Sequence, residues 1–193
     1  MTSIRLAQPQ DLNAIVTTVA TAFADDPAWL FMMGAGNEAG MRAFAKALAI
    51  PRIESQTLWV SDDLLAVSMW DRVNGQLGVI TDEYWEQFRR EVSDEVWHNV
   101  HTYETAIAVD APTAPYWYLG VLATHPDAQG RGLATAVMQP GFAAAAADAW
   151  DCWLETSLPK NKPFYANRGF TEATGFDVPG GPPTWWIRRP HTA

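Results

Sequence analysis

Between Thr124 and Met138 the chain reads THPDAQGRGLATAVM, with Gly130 and Gly132 on either side of Arg131, immediately ahead of a run with helical character. A helix start leaves backbone N–H groups without partners and carries partial positive charge, and glycine lets a ligand approach that backbone closely. The stretch therefore offers an anion site, to which Arg131 would add charge; on the glycine pair alone, a tight strand-to-helix turn is an equally good reading. The spacing is not the G-x-x-x-x-G-K-[ST] of a nucleoside-triphosphate loop, nor the three-glycine turn of a dinucleotide fold.

Glu155 stands inside the otherwise apolar CWLETS, where an unpaired carboxylate is costly and its pKa tends to rise. Facing a cleft, it could accept a proton; salt-bridged, it would be structural. Strand alternation puts Trp153 and Glu155 on one face and Leu154 and Thr156 on the other. Cys152, the only cysteine, lies between apolar neighbours and reads as a buried small hydrophobe rather than a nucleophile. His98 and His101 have the spacing of a helix pair but lack a third donor, so solvated helix surface is expected and no metal. Asp25 and Asp26, ahead of Pro27, could receive a cationic amine or merely finish a helix.

The elements that must position these groups follow from periodicity. TSIRLA alternates as a strand, and Leu12, Ile15, Val16, Val19 and Phe23 line one face of a helix that should end near ADDPAW. A second helix is expected over EAGMRAFAKALAI, stopped by Pro51. TLWVS and LLAVSMW read as a hairpin, and Trp85, Phe88, Val92 and Val96 as one or two surface helices between about Thr81 and Val100. YWYLGVLA is a central strand. A helix follows from Gly132, which Pro140 and Gly141 should kink, then strand CWLETS, a short helix in NKPFYANRGF and a last strand, TWWIRR. The order describes a single domain, 1–193, of mixed α/β class: a central, mostly antiparallel sheet flanked by helices.

Gln129, Gly132 and Ala134 fit the Q/R-x-x-G-x-G/A signature of the GNAT N-acetyltransferases, and LETS followed by NKPFYANRGF is similar to that family's second half. The segments AFADDP, VSDD, AVSMW, LETS, NKPFY, RGF and PTWW resemble, in order, the puromycin N-acetyltransferase group within it. The resemblance implies the GNAT fold and acetyl-CoA as acetyl donor. It implies backbone N–H groups of Leu122, Ala123 and Thr124 on the pantetheine, and Gln129, Gly130, Arg131, Gly132, Leu133, Ala134 and Thr135 around the pyrophosphate. Asn161 would bond the CoA arm, or else cap the short helix. Tyr165 would protonate the departing thiolate and Glu155 would serve as base; Asp26, Trp29, Trp70 and Trp186 would border the acceptor.

Composition narrows the partners. Hydrophobic residues make up 48% of the 193 residues and charged residues 18%, enough for a core and too little charge for disorder. A formal charge of −9 repels nucleic acid and favours small cations or basic peptides. With no apolar signal core and no spanning run, a cytoplasmic enzyme is expected, monomer or homodimer, acting on a small primary amine such as an aromatic antibiotic. Acetylation of a peptide amine, or CoA binding without turnover, are the alternatives.

Overall fold

A computed structural model describes residues 3–75, 77 and 82–191. Its centre is a seven-stranded sheet in the order β1-β2-β3-β4-β5-β7-β6. The strands are β1 (Ile4–Leu6), β2 (Leu58–Ser61), β3 (Ala66–Val73), β4 (Tyr116–Thr124), β5 (Cys152–Thr156), β6 (Glu172–Phe176) and β7 (Thr184–Arg189). All neighbours are antiparallel except β4 and β5. The helices are α1 (Leu12–Ala22), α2 (Pro27–Met33), α3 (Glu38–Glu54), α4 (Asp82–Glu91), α5 (Asp94–Val109), α6 (Leu133–Asp148) and α7 (Lys162–Ala166).

The sheet separates two apolar layers. On one face Val67, Met69, Tyr118 and Val121 pack with Ile15 and Val19 of α1, Phe44 and Leu48 of α3, and Val100 and Tyr103 of α5. On the other, Trp70, Trp117, Leu119 and Leu154 pack with Met138 and Phe142 of α6 and Tyr165 of α7. The alternation of apolar side chains along β3 and β4 fills both layers, which is why these strands read as continuous apolar runs.

Several local expectations need correcting. Pro51 does not stop α3, which runs on to Glu54: the proline lies in the last turn, where it removes one donor and leaves the final carbonyls to other partners, Ser55 N–H donating to Pro51 O and Thr57 N–H to Arg52 O. Asp26 does not finish α1 but starts α2, a helix that periodicity does not announce, by accepting from Ala28 N–H (2.9 Å) and Trp29 N–H (3.2 Å), with Pro27 at the first helical position. β6 is likewise absent from the sequence pattern; it is exposed in four of five residues, so no apolar alternation marks it. α6 is continuous through Pro140, and Gly141 has a packing reason: a Cβ there would lie 2.2 Å from the Trp70 indole.

Candidate active site

The parallel pair β4/β5 is joined only at Trp117↔Cys152 and Tyr118↔Trp153. Beyond Tyr118 the strands diverge and leave one edge of β4 open. A bulge lies at the same place: Met69 opposes Val121 and Trp70 opposes Leu119, so Gly120 is the extra residue. The direction of each N–H beyond the bulge follows from alternation. His125 N–H donates to Leu65 O (2.8 Å), toward β3. Counting back by twos, Ala123 and Val121 also donate toward β3, while Leu122 and Thr124 turn their N–H groups to the open edge. Ala123 is therefore occupied by ordinary sheet pairing, and of the three N–H groups expected on a pantetheine arm Leu122 and Thr124 face the open edge. Thr124 Oγ1 is buried without a partner, and the Gln129 amide reaches Thr124 O at 3.5 Å.

β4 leads into the glycine loop. Gly130 (φ 75°) and Gly132 (φ 77°) are both left-handed, and a Cβ on either would meet nothing within 4 Å. Glycine is thus favoured there by backbone conformation, not by crowding. Gly132 caps α6 without a side chain, and the first helical bond is Ala136 N–H to Gly132 O (3.1 Å). The N–H groups of Leu133, Ala134 and Thr135 consequently have no protein acceptor among the described residues. Arg131 is turned away from them to Asp63 at 3.3 Å and does not line the cavity.

The side-chain cation beside the loop is Arg168, which sequence reasoning passes over. Its Nε lies 3.0 Å from Thr135 Oγ1, its Nη1 donates to Phe164 O at 2.5 Å, and its guanidinium lies 3.5 Å from the centre of the Phe164 ring. Burial lowers its pKa, and no carboxylate among the described residues pairs with it. The arginine of an F-Y-x-x-R run one turn past a site tyrosine is the available signal.

A cavity of about 1460 Å³ runs from this loop through the β4/β5 fork to the opposite face of the sheet. It exceeds the roughly 300–1,000 Å³ of a pocket for one small molecule, as a site for two reactants requires. Its first lobe is lined by Leu122, Thr124, Gln129, Thr135, Asn161 and Arg168. Asn161 sits at the N-cap of α7 but makes no capping bond with its side chain, which leaves the amide to the cavity. Unpaired strand and helix N–H groups, an orphaned hydroxyl and two left-handed glycines fit an extended polar ligand ending in a diphosphate.

Tyr165 and Glu155 stand at the fork. Tyr165 packs edge-on against Phe164 (5.3 Å) and Phe170 (5.8 Å), and its hydroxyl makes no hydrogen bond among the described residues. Burial, then Glu155 and Asp26, push its pKa far up, so it stays a protonated phenol. Glu155 is half-buried on the other face and accepts from Tyr118 Oη at 2.5 Å. Burial pushes its carboxyl up to about 8 despite that bond, with Glu104 adding to the rise.

The second lobe is aromatic and acidic: Trp29, Phe44, Trp85 and Trp97 line it together with Asp26 and Glu104. Trp29 stacks on Phe23 at 4.7 Å. Burial raises the Asp26 pKa although two backbone N–H groups hold its carboxylate. Beneath lies a buried ion pair, Arg52 Nε to Asp71 Oδ1 (2.7 Å) and Nη2 to Oδ2 (2.5 Å), with Nη1 on Leu48 O. Two expected acceptor residues are elsewhere. Trp70 is wholly buried against α6 at Gly141, and Trp186, 2% exposed, packs with Tyr118, Trp153 and Phe176. Neither lines the cavity; both are large indoles in strands whose faces are covered. Cys152 is buried, with its thiol pushed up to about 11 by burial, while His98 and His101 are exposed on α5.

This architecture has known counterparts. Residues 92–172 match the model of the Acetyltransferase (GNAT) domain. The fold is that of the GNAT acetyltransferases. A histone acetyltransferase HPA2 and related acetyltransferase from Corynebacterium glutamicum is 21% identical with a TM-score of 0.65, covering 100% of this chain and 98% of that one. Arylalkylamine N-acetyltransferase 2 of Aedes aegypti is 11% identical with a TM-score of 0.68, covering 98% and 99%. An N-acetyltransferase of Staphylococcus aureus is 16% identical with a TM-score of 0.64, covering 96% and 99%. The domain match and the GNAT fold together support an acyltransferase enzyme. Among the described residues no helix is long and apolar enough to cross a membrane, and no three His, Cys, Asp or Glu side chains gather as a metal site.

Proposed function

We propose that the protein transfers the acetyl group of acetyl-CoA to a primary amine on a small aromatic molecule, an aminonucleoside such as puromycin being one candidate. The observation that carries this reading is the continuous cavity that joins a backbone-lined donor lobe to an aromatic, acidic lobe through the β4/β5 fork. When bound, acetyl-CoA supplies an acetyl group on a thiol leaving group. The N–H groups of Leu122 and Thr124 and of the first turn of α6 hold the donor, and Asn161 and Arg168 flank it. Glu155, a stronger base than an ordinary carboxylate, takes the proton that frees the amine. Tyr165, a phenol across the working pH range, holds a proton for the leaving sulfur. The amine attacks directly, without a covalent enzyme intermediate, since the one thiol, Cys152, is buried away from the cavity.

One structural neighbour is an arylalkylamine N-acetyltransferase, and the ring-walled lobe here agrees with an acceptor of that kind. Another is described as a histone acetyltransferase; the concentration of aromatic rings around the acceptor lobe here favours a small aromatic molecule over a peptide. The test is thiol release from acetyl-CoA over a panel of amines that includes puromycin, with Tyr165→Phe as control. Saturating acetyl-CoA should raise the melting temperature, because a ligand of the native state stabilises it; no rise would remove the donor assignment. Binding without acetylation of any amine would favour a CoA-binding module.

A further inference from the structure

Of the two carboxylates named in the acceptor lobe, Asp26 is engaged in capping α2, while Glu104 has no part in acetyl transfer. Glu104, on the same helix as Trp97 and Tyr103, lines the cavity and makes no hydrogen bond or ion pair among the described residues. The positive charge that reaches it, Arg52, already gives two hydrogen bonds to Asp71 and one to Leu48 O. Burial dominates over that attraction, Asp71 opposes it, and the Glu104 carboxyl is pushed up to about 7. The single proton of the neighbouring phenol, Tyr118, is given to Glu155. Glu104 is left uncompensated.

An unpaired carboxylate in a ring-walled chamber costs the empty protein and is relieved by an organic cation, to which aromatic faces add their own attraction. The reacting nitrogen gives up its proton to Glu155 at the fork before it attacks, so it cannot go on supplying that charge. The cation facing Glu104 has to belong to another part of the acceptor.

We propose that Glu104 selects acceptors carrying a second, cationic nitrogen: aromatic diamines, with one amine at the fork and the other against Glu104. The choice of an amine at the fork rests on the acetyl-transfer reading, but the charge preference can be measured without turnover. Trp29, Trp85 and Trp97 line the chamber, so binding can be followed by tryptophan fluorescence at pH 8. The probes are 1,4-bis(aminomethyl)benzene and 4-methylbenzylamine, which share a ring and one aminomethyl arm. The wild-type protein should bind the diamine at least about tenfold more tightly, as one charge-assisted contact predicts. Glu104→Gln should remove that difference, whereas Glu104→Asp should keep part of it.

Equal affinity of the wild-type protein for the two probes overturns the proposal, and so does a preference that survives Glu104→Gln. The wild-type comparison and Glu104→Asp keep the test decisive if the glutamine variant does not fold. A diamine preference with no thiol release from either amine would remove the acetyl-transfer reading and leave the charge preference standing.

Discussion

Arg131 and Arg168 make opposite predictions for acetyl-CoA binding. Arg131 lies within the loop signature, but its side chain is 48% exposed and tied to Asp63. Replacing it with Gln removes one cation and frees one anion, so the dissociation constant, set mainly by backbone N–H groups, should move by less than about threefold. Arg168 is half-buried at the first turn of α6, holds Thr135 Oγ1, and has no carboxylate partner among the described residues. A charge-assisted hydrogen bond contributes about 1.5–3 kcal/mol. Part of that is lost because the guanidinium must release Thr135 and because the lobe is open to solvent. About 1–2 kcal/mol remains, or roughly a 5- to 30-fold weakening for Arg168→Gln at low salt. Titration calorimetry with acetyl-CoA on both variants reads the contrast directly. Arg168→Lys, which keeps the charge, should recover much of the affinity, and melting temperatures check that α7 stays docked. Weaker binding in Arg131→Gln with no weakening in Arg168→Gln would refute the reasoning, and with it the placement of the diphosphate.

Tyr165→Phe should lower kcat about 10²-fold or more while leaving the acetyl-CoA affinity within about twofold, since only the proton donor is lost; an unchanged kcat removes it from the chemistry. Glu155 is neutral in the folded state up to about pH 8 but ionises near 4.5 when unfolded, so folding takes up a proton between those values and stability should fall as pH rises through that window. Glu155→Gln should flatten the melting-temperature profile there and abolish the rise of kcat/KM toward pH 8; an unaltered rate profile rules it out as the base. Gly141→Ala would set a Cβ 2.2 Å from Trp70, a clash worth about 1–3 kcal/mol that exceeds the gain of about 1 kcal/mol in helix propensity. A melting temperature that rises in this variant contradicts the packing assigned to Trp70.

The proposed donor half is legible in the sequence because its residues are local. Gln129 through Thr135 are contiguous, the glycine pair needs no tertiary information to imply a left-handed turn, and Asn161 and Tyr165 follow within one short helix. Ala123 and Arg131 mislead by proximity to that signature: strand alternation through the Gly120 bulge decides which N–H groups point outward, and Asp63, 68 residues earlier, decides where Arg131 goes. The acceptor half is non-local. Trp29, Phe44, Trp97 and Glu104 come from α2, α3 and α5, and nothing in their spacing says that they meet. A tryptophan in a strand carries no label for core or cleft, so size alone draws Trp70 and Trp186 toward the site in a reading of the sequence.

The fork has a kinetic consequence. In the proposed arrangement donor and acceptor lie on opposite sides of the fork in a cavity lined from both faces of the sheet, so neither reactant has to pass through the space the other occupies. The order of arrival is then set by affinity and not by a gate, and the two products have separate ways out. Product inhibition should accordingly show each product competing with its own precursor, with no compulsory sequence imposed by the path through the protein.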